Sequence, residues 1–462
     1  MYSGSASDKS DCAKKEGRII VENTSYIKMS KLRLTIAMLT LGAGWAVVYL
    51  VPYLQYTWYE PFREFLDISG TKMSFLLSVY GLGNVILAPF GGWFADRFNY
   101  KTIYLLSIVL NAVFAVGFLL NPHSYVWCIA MWFGFAIASL MFNFPTQIKI
   151  IRMMWPDSEQ GRAYGLNETC IGIFNIVLSS LMMVAFQYAG EGENGIKATV
   201  VANIAMSVVI FIALFFVIPN PTKEMLEANR AEAAASKKDK ENHNAVKEIL
   251  SVVCHKETWM FAFCIFAVYS FKTTLTYFTP YFSDVLGIPV VIAGWAAIFR
   301  TYGCQMLGAP VGGEIATRLK SPAKNLIIVY VLSIIGLLYM LFGANENSSA
   351  AFVIFVIIGL SFVCFAGRGY YAVIGECGIP AALTATTTGI AAILGFSPDI
   401  FQFTLFSHWL DTLPAVTAYT RMFTFQLVVL ILGLLDAILI IRLHKRNQAR
   451  LAAGKDVEYN GK

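Results

Sequence analysis

Charge is scarce in this sequence. Asp, Glu, Lys and Arg make up 14% of its 462 residues, against roughly 25% in an ordinary soluble domain. Histidine is scarcer still, and all five (His123, His243, His255, His408, His444) fall in or near loops. That argues against acid–base catalysis inside a hydrophobic interior, which usually draws on His or paired carboxylates. Cysteine occurs eight times but never as C-x-x-C, so no zinc site or disulfide framework is visible. No G-x-x-x-x-G-K-[ST] run exists, which excludes a phosphate-binding loop of that kind and ATP-driven work within this chain. The first 33 residues are polar and lack the apolar core of a signal peptide. No cofactor or metal is expected.

What fills the chain is apolar: 57% of residues are hydrophobic and 14% aromatic. Twelve apolar spans are expected, at 34–57, 73–95, 103–121, 124–148, 165–189, 198–218, 258–282, 289–316, 325–343, 350–372, 384–406 and 422–443. Each approaches the roughly 20 residues that a helix needs to cross the hydrocarbon. The fold class read from this is an all-α membrane protein of twelve transmembrane helices in two six-helix halves.

The basic residues orient the chain. Of 35 Lys and Arg, only Arg63, Lys72, Lys197 and Arg421 fall in loops on one side. Lys272 and Arg300 lie inside spans, and the rest lie on the side of both termini. Basic loops stay in the cytoplasm, so both termini are expected there, in a multi-pass protein of the cytoplasmic (inner) membrane. The net charge of +6 is thereby explained by topology and requires no nucleic acid. Expected domains are a cytoplasmic tail at 1–33, a six-helix bundle at 34–218, a cytoplasmic linker at 219–257, a second bundle at 258–443 and a tail at 444–462.

The halves repeat. Ala88, Pro89, Gly91, Gly92, Ala95 and Arg97 match Ala309, Pro310, Gly312, Gly313, Ala316 and Arg318 at a constant spacing of 221 residues. A weaker match sets Pro156 and Gly165 against Pro380 and Gly389, spaced by 224. Duplicated halves are common in secondary transporters, whose substrate lies between repeats near the midplane.

The loop after span two reads Gly91-Gly92-Trp93-Phe94-Ala95-Asp96-Arg97-Phe98-Asn99-Tyr100-Lys101. It resembles the signature G-x-L-A-D-R-x-G-R-K of the major facilitator superfamily. Twelve spans, a long central loop and the degenerate second copy at 312–320 extend the resemblance over nearly the whole chain. Asn99 stands for the second Gly of the signature; Asn tolerates a left-handed turn. Asp96 is expected to cap span three, while Gly91 and Gly92 permit close helix approach. The resemblance implies a gating role for Gly92, Asp96 and Arg97, with Arg318 as the second-half counterpart. Thr317 replaces the acidic residue there, so that copy should lack a charge lock. The stretch from Arg368-Gly369-Tyr370-Tyr371 to Gly395-Phe396-Ser397-Pro398-Asp399 is similar to a bacterial branch loosely like organophosphate and organic-anion permeases. Span four lacks the R-x-x-x-G motif of drug/proton antiporters.

Lys272 and Arg300 lie in the middle third of spans seven and eight at 1.5 Å per residue. Charges at that depth are costly and usually functional. Asp399 reaches similar depth in span eleven, after Pro398. Two cations against one anion leave surplus positive charge and point to an anionic substrate. Asp399 would pair with a cation or carry a proton. The alternative has one cation permanently paired with Asp399 and the other snorkelling. Asn175 is set opposite Asp399 by the weaker repeat; with Asn84 and Asn143 it makes the first half polar but uncharged. Trp45, Tyr49 and Tyr53 form an i, i+4 stripe, a cavity wall or ordinary packing. Tyr269, Lys272 and Thr276 share one face of span seven. Lys149 and Glu168 are expected to pair at the cytoplasmic end, and Glu168 is a second candidate proton carrier. Arg368 and Glu376 are read as gate or anchor residues at the inner end of span ten. Asp436, in span twelve, receives no role.

The sequence reading is therefore a secondary transporter of a small, anionic organic solute (carboxylate, sugar acid or phosphorylated metabolite), working as a monomer in the lipid bilayer, with proton coupling, counter-anion exchange and uniport as the open modes. Alternatives are a polytopic membrane enzyme, a carrier of a neutral sugar or peptide, and drug efflux.

Overall fold

The computed structural model describes residues 27, 29–155, 160–220, 252–344, 349–379 and 384–453. Among these the chain is helical, without strands. In hydrocarbon each backbone group needs an internal partner, which a helix supplies within one segment. The spanning helices are α1 (Lys31–Leu50), α2 (Gly70–Arg97), α3 (Tyr100–Leu120), α4 (Tyr125–Ile151), α5 (Gln160–Tyr188), α6 (Gly192–Val217), α7 (Lys256–Asp284), α8 (Val290–Arg318), α9 (Pro322–Gly343), α10 (Ala350–Gly375), α11 (Thr387–Thr412) and α12 (Ala415–Ala452). All but α2 stand out as both long and apolar enough to cross a bilayer. With 28 residues, α2 also exceeds the crossing length. A short helix, Tyr59–Leu66, joins α1 to α2. The expected tail at 1–33 and linker at 219–257 lie mostly outside the described residues. The tail expected at 444–462 instead begins as a continuation of α12 to Ala452.

Local chemistry sets the helix ends. Ser30, Ser69 and Ser321 each accept a backbone N–H of the first turn, from Arg33, Lys72 and Lys324. Such caps satisfy donors that a helix start leaves open. The α2–α3 junction departs from expectation. Asn99 is extended (φ −64°, ψ 114°), not left-handed, and its Oδ1 accepts from Lys101 N at 2.9 Å and Thr102 N at 3.5 Å. Asn99, not Asp96, is therefore the cap of α3. Asp96 belongs to the last turn of α2; its side chain, like those of Asn84 and Arg97, and the surroundings of Gly92 lie outside what is described.

Close approach at glycines behaves as the repeat predicts. A Cβ on Gly91 would meet the Met141 carbonyl at 2.5 Å, and one on Gly312 would strike the Ala366 carbonyl. Helices α2 and α8 thus sit backbone-to-backbone on α4 and α10. Among the described residues no bond joins Arg318 to the other half; its Nε donates to Glu314 one turn earlier, at 2.7 Å. Glu376 accepts from Ala323 N at 2.8 Å and so anchors the start of α9.

Several helices around the centre are irregular. α4 carries a π-helical stretch at Ile137–Asn143, and α8 one at Phe299–Gly303. α7 breaks at Thr276–Tyr277 and α11 at Phe396–Ser397, before Pro398. Interrupted helices of this kind expose backbone only where it lines protein or a cavity.

Candidate functional site

The second-half interruptions carry the charges. Arg300 lies within the π turn of α8, Asp399 in the first turn after the α11 break, and Lys272 one turn before the α7 break. Lys272 points into a ring of tyrosines. Its Nζ lies 4.7 Å from the Tyr269 ring centroid, 5.9 Å from Tyr53 and 6.0 Å from Tyr56. Cation–π attraction holds an ammonium there without neutralising it. Tyr269 also donates its hydroxyl to Asp399 Oδ2 at 2.7 Å. Lys272 and Asp399 therefore attract one another around one tyrosine, yet no ion pair joins them within 4.0 Å among the described residues. Asp399 Oδ1 is buried without a hydrogen-bond partner.

Arg300 is only 2% exposed. Its Nη2 donates to Thr279 Oγ1 at 3.4 Å, and Thr279 in turn donates to the Tyr56 carbonyl at 2.8 Å. Its Nε is buried without a partner, and no carboxylate lies at ion-pair distance among the described residues. Tyr56 and Cys364 are charge neighbours of both cations. The structure thus brings Lys272, Asp399, Tyr53 and Tyr269 into one cluster, with Arg300 beside it across Tyr56.

Other expected residues stand further out. Trp45 stacks on Tyr49 with centroids 3.9 Å apart, while Tyr53 packs edge-on to Tyr80 at 5.3 Å. Thr276 is buried beside Tyr56. Asn175 is buried on α5, and no hydrogen bond joins it to Asp399 among the described residues. The Asn143 Nδ2 donates within the first half, to Ser107 Oγ at 3.0 Å. Glu168 is the leading charge acting on Arg368 from across the halves, and Arg368 in turn acts on Lys272. Asp436 accepts from the Cys264 thiol at 3.3 Å, away from this cluster.

Sequence reasoning missed Tyr56, Thr279 and Tyr80. Tyr56 sits three residues after Tyr53, in the bend following α1, and only tertiary folding turns both rings onto Lys272. It also missed the seam that closes one end of the molecule. Loops α1–α2, α7–α8 and α11–α12 lie at the end expected to face away from the cytoplasm; we call this the outer end. There Asp411 accepts from Gly70 N (3.0 Å), Thr71 N (2.7 Å) and Thr71 Oγ1 (2.6 Å). Ser407 bonds Tyr59 at 2.9 Å and Ser74 at 2.6 Å, and Ser78 bonds Thr404 at 2.9 Å. Each of these bonds crosses between halves.

The decisive comparison is over residues 34–401, which match the Major Facilitator Superfamily. The chain belongs to the Major Facilitator Superfamily. Among its relatives, "Inner membrane protein YqcE" of Escherichia coli (strain K12) is 28% identical, over 84% of this chain and 90% of that one. "Probable galactarate/D-glucarate transporter GudP" of Bacillus subtilis (strain 168) is 24% identical, over 71% of this chain and 76% of its own. The inward-facing, unoccupied crystal structure of a bacterial homolog of the human lysosomal transporter Spinster shares the fold. Its TM-score is 0.63 at 15% identity, covering 90% of this chain and 98% of that one. As a superfamily member this is a multi-pass membrane protein of the transporter class, with its charged cluster between two six-helix halves.

Proposed function

We propose that the chain is a secondary transporter of a small organic anion, with a carboxylate-bearing sugar acid as the leading substrate class. The observation that carries this is Arg300: a desolvated guanidinium with an open Nε and, among the described residues, no carboxylate at ion-pair distance. Burying an unpaired charge costs several kcal/mol, and a negatively charged guest offsets that cost. Arg300 offers a planar fork suited to a carboxylate; Lys272 offers a point charge, and the tyrosine hydroxyls nearby suit a polyhydroxylated body. The relation to GudP supports the sugar-acid class, and the lack of phosphate-loop chemistry favours a carboxylate carrier over a pump.

In this reading the halves rock around the cluster, with both termini on the cytoplasmic side of the inner membrane. Asp399 is the proposed proton carrier, since its Oδ1 is free and Lys272 competes for its charge. Glu168 and Arg368 hold the inner end, and Gly92, Asp96 and Arg97 gate it. The test is counterflow of labelled glucarate or galactarate in proteoliposomes. Wild type should exchange label, and Arg300→Ala and Lys272→Ala should each lose exchange while remaining folded and inserted. Exchange at wild-type rate by both variants overturns the site. Chemical turnover of the labelled acid would make the protein an enzyme.

A further inference from the structure

On the membrane-facing surface of the first half, far from the charged cluster, α3 and α6 leave a groove of about 370 Å³ between them. Its walls are Ile108, Val109, Val113 and Val116 of α3 with Val208 and Phe211 of α6. At the cytoplasmic end the aromatic line continues from Phe211 to Phe215, whose rings stack at 6.5 Å. Over Phe215 stands the Lys101 ammonium, 5.0 Å from the ring centroid. Lys101 is only 8% exposed, and no carboxylate pairs with it among the described residues. Arg33, an exposed residue of the first turn of α1, adds a second positive charge beside it.

We propose that this groove seats one anionic glycerophospholipid of the cytoplasmic leaflet, its phosphate on Lys101 and Arg33 and an acyl chain along Ile108–Val116. Charge complementarity selects the headgroup: among the described residues neither cation has a carboxylate at ion-pair distance, and the expected topology sets both at the end where a leaflet's phosphates lie. Length agrees as well. At 1.5 Å per residue, Ile108 and Val116 lie about 10 and 22 Å beyond Lys101. From headgroup level, where the Lys101 ammonium lies, to the midplane is about 20–22 Å, so the groove occupies the range that an acyl chain reaches. The Lys101 methylenes cover apolar wall while the ammonium stays at headgroup level, as amphipathic side chains do. A neutral lipid would fill the groove but leave both cations unanswered. Free inorganic phosphate would answer the cations but leave the groove open.

The test is native mass spectrometry of detergent-purified full-length protein titrated with phosphatidylglycerol, with phosphatidylcholine and inorganic phosphate as separate arms. Wild type should retain phosphatidylglycerol above phosphatidylcholine. Each cation removed, in Arg33→Ala or Lys101→Ala, should lower retention about fivefold. Val113→Trp, which fills the groove and keeps both cations, should lower it as well. Equal retention of both lipids by wild type overturns the proposal. So does unchanged retention in Lys101→Ala, loss in the cation variants with none in Val113→Trp, or displacement of the lipid by millimolar phosphate. Since folding is read from the same spectra by charge state, a misfolded variant is recognised, and Arg33→Ala at the exposed position stands in for it.

Discussion

At the residue scale, Arg300 is held against its own stability. An interior guanidinium with Nε unpartnered bears desolvation without the return of a pair; since replacing even a paired buried charge by apolar side chains is often neutral or stabilising, by up to about 4 kcal/mol, an apolar residue here should not destabilise. Arg300→Met should therefore keep or raise the apparent melting temperature while abolishing anion counterflow. A structural Arg300, needed for its bond to Thr279, would behave oppositely and lower it. Arg300→Lys keeps the charge but loses the fork, so affinity should fall by about 2 kcal/mol, roughly thirtyfold; undiminished binding would show that charge alone suffices. Tyr269 ties the site together differently. Its hydroxyl bonds Asp399 while its ring carries Lys272. Tyr269→Phe keeps the ring and removes the bond, worth about 1.5–3 kcal/mol to a charged acceptor. Net uptake driven by a proton gradient should drop, while gradient-independent exchange survives. Equal loss of both modes would remove Asp399 from coupling.

At the element scale, irregular helices place the charges and a seam closes the outer end. α2 and α11 approach so closely at Gly81 that an added Cβ would meet the Asp399 Cβ at 2.7 Å, so movement of this seam moves Asp399. Gly70 begins α2, and a Cβ there would crowd Asp411 Oδ1 at 3.0 Å. Its missing side chain leaves room for the carboxylate on the α2 N-terminus, where the helix dipole favours negative charge. Asp411 is exposed, so each of its bonds is worth less than a buried one. A combined loss of about 1.4 kcal/mol shifts a two-state balance tenfold. Asp411→Ala should raise labelling of Thr404→Cys by an impermeant maleimide about tenfold, measured against Thr404→Cys alone. Unchanged labelling would show that the hydroxyl cluster around Ser407 holds the seam without it.

At the scale of the whole molecule, what was legible followed from the bilayer. Its thickness fixes helix length, so the spans could be counted. Its expense for charge made Lys272, Arg300 and Asp399 conspicuous, and rise per residue gave their depth. Pairings between helices distant in sequence were not legible. Nothing in the local sequence joins Asp411 to Gly70, or Tyr56 to Lys272, and the π turn around Arg300 has no proline to announce it. Asn99 was misread because a Gly position in a signature suggests a left-handed turn, whereas a short acceptor side chain serves equally to cap the next helix. Orientation rests on the Lys and Arg asymmetry, and the chain carries its own probe for it. Cys254 is exposed, just before α7, while Cys128, Cys170, Cys264, Cys304, Cys364 and Cys377 are buried. With Cys12, which lies outside the described residues, replaced by Ser, an impermeant maleimide should label inverted vesicles at Cys254 and leave intact cells unlabelled. Labelling of intact cells would invert the topology. The seam at Asp411 would then face the cytoplasm, and Lys101 would face the opposite leaflet.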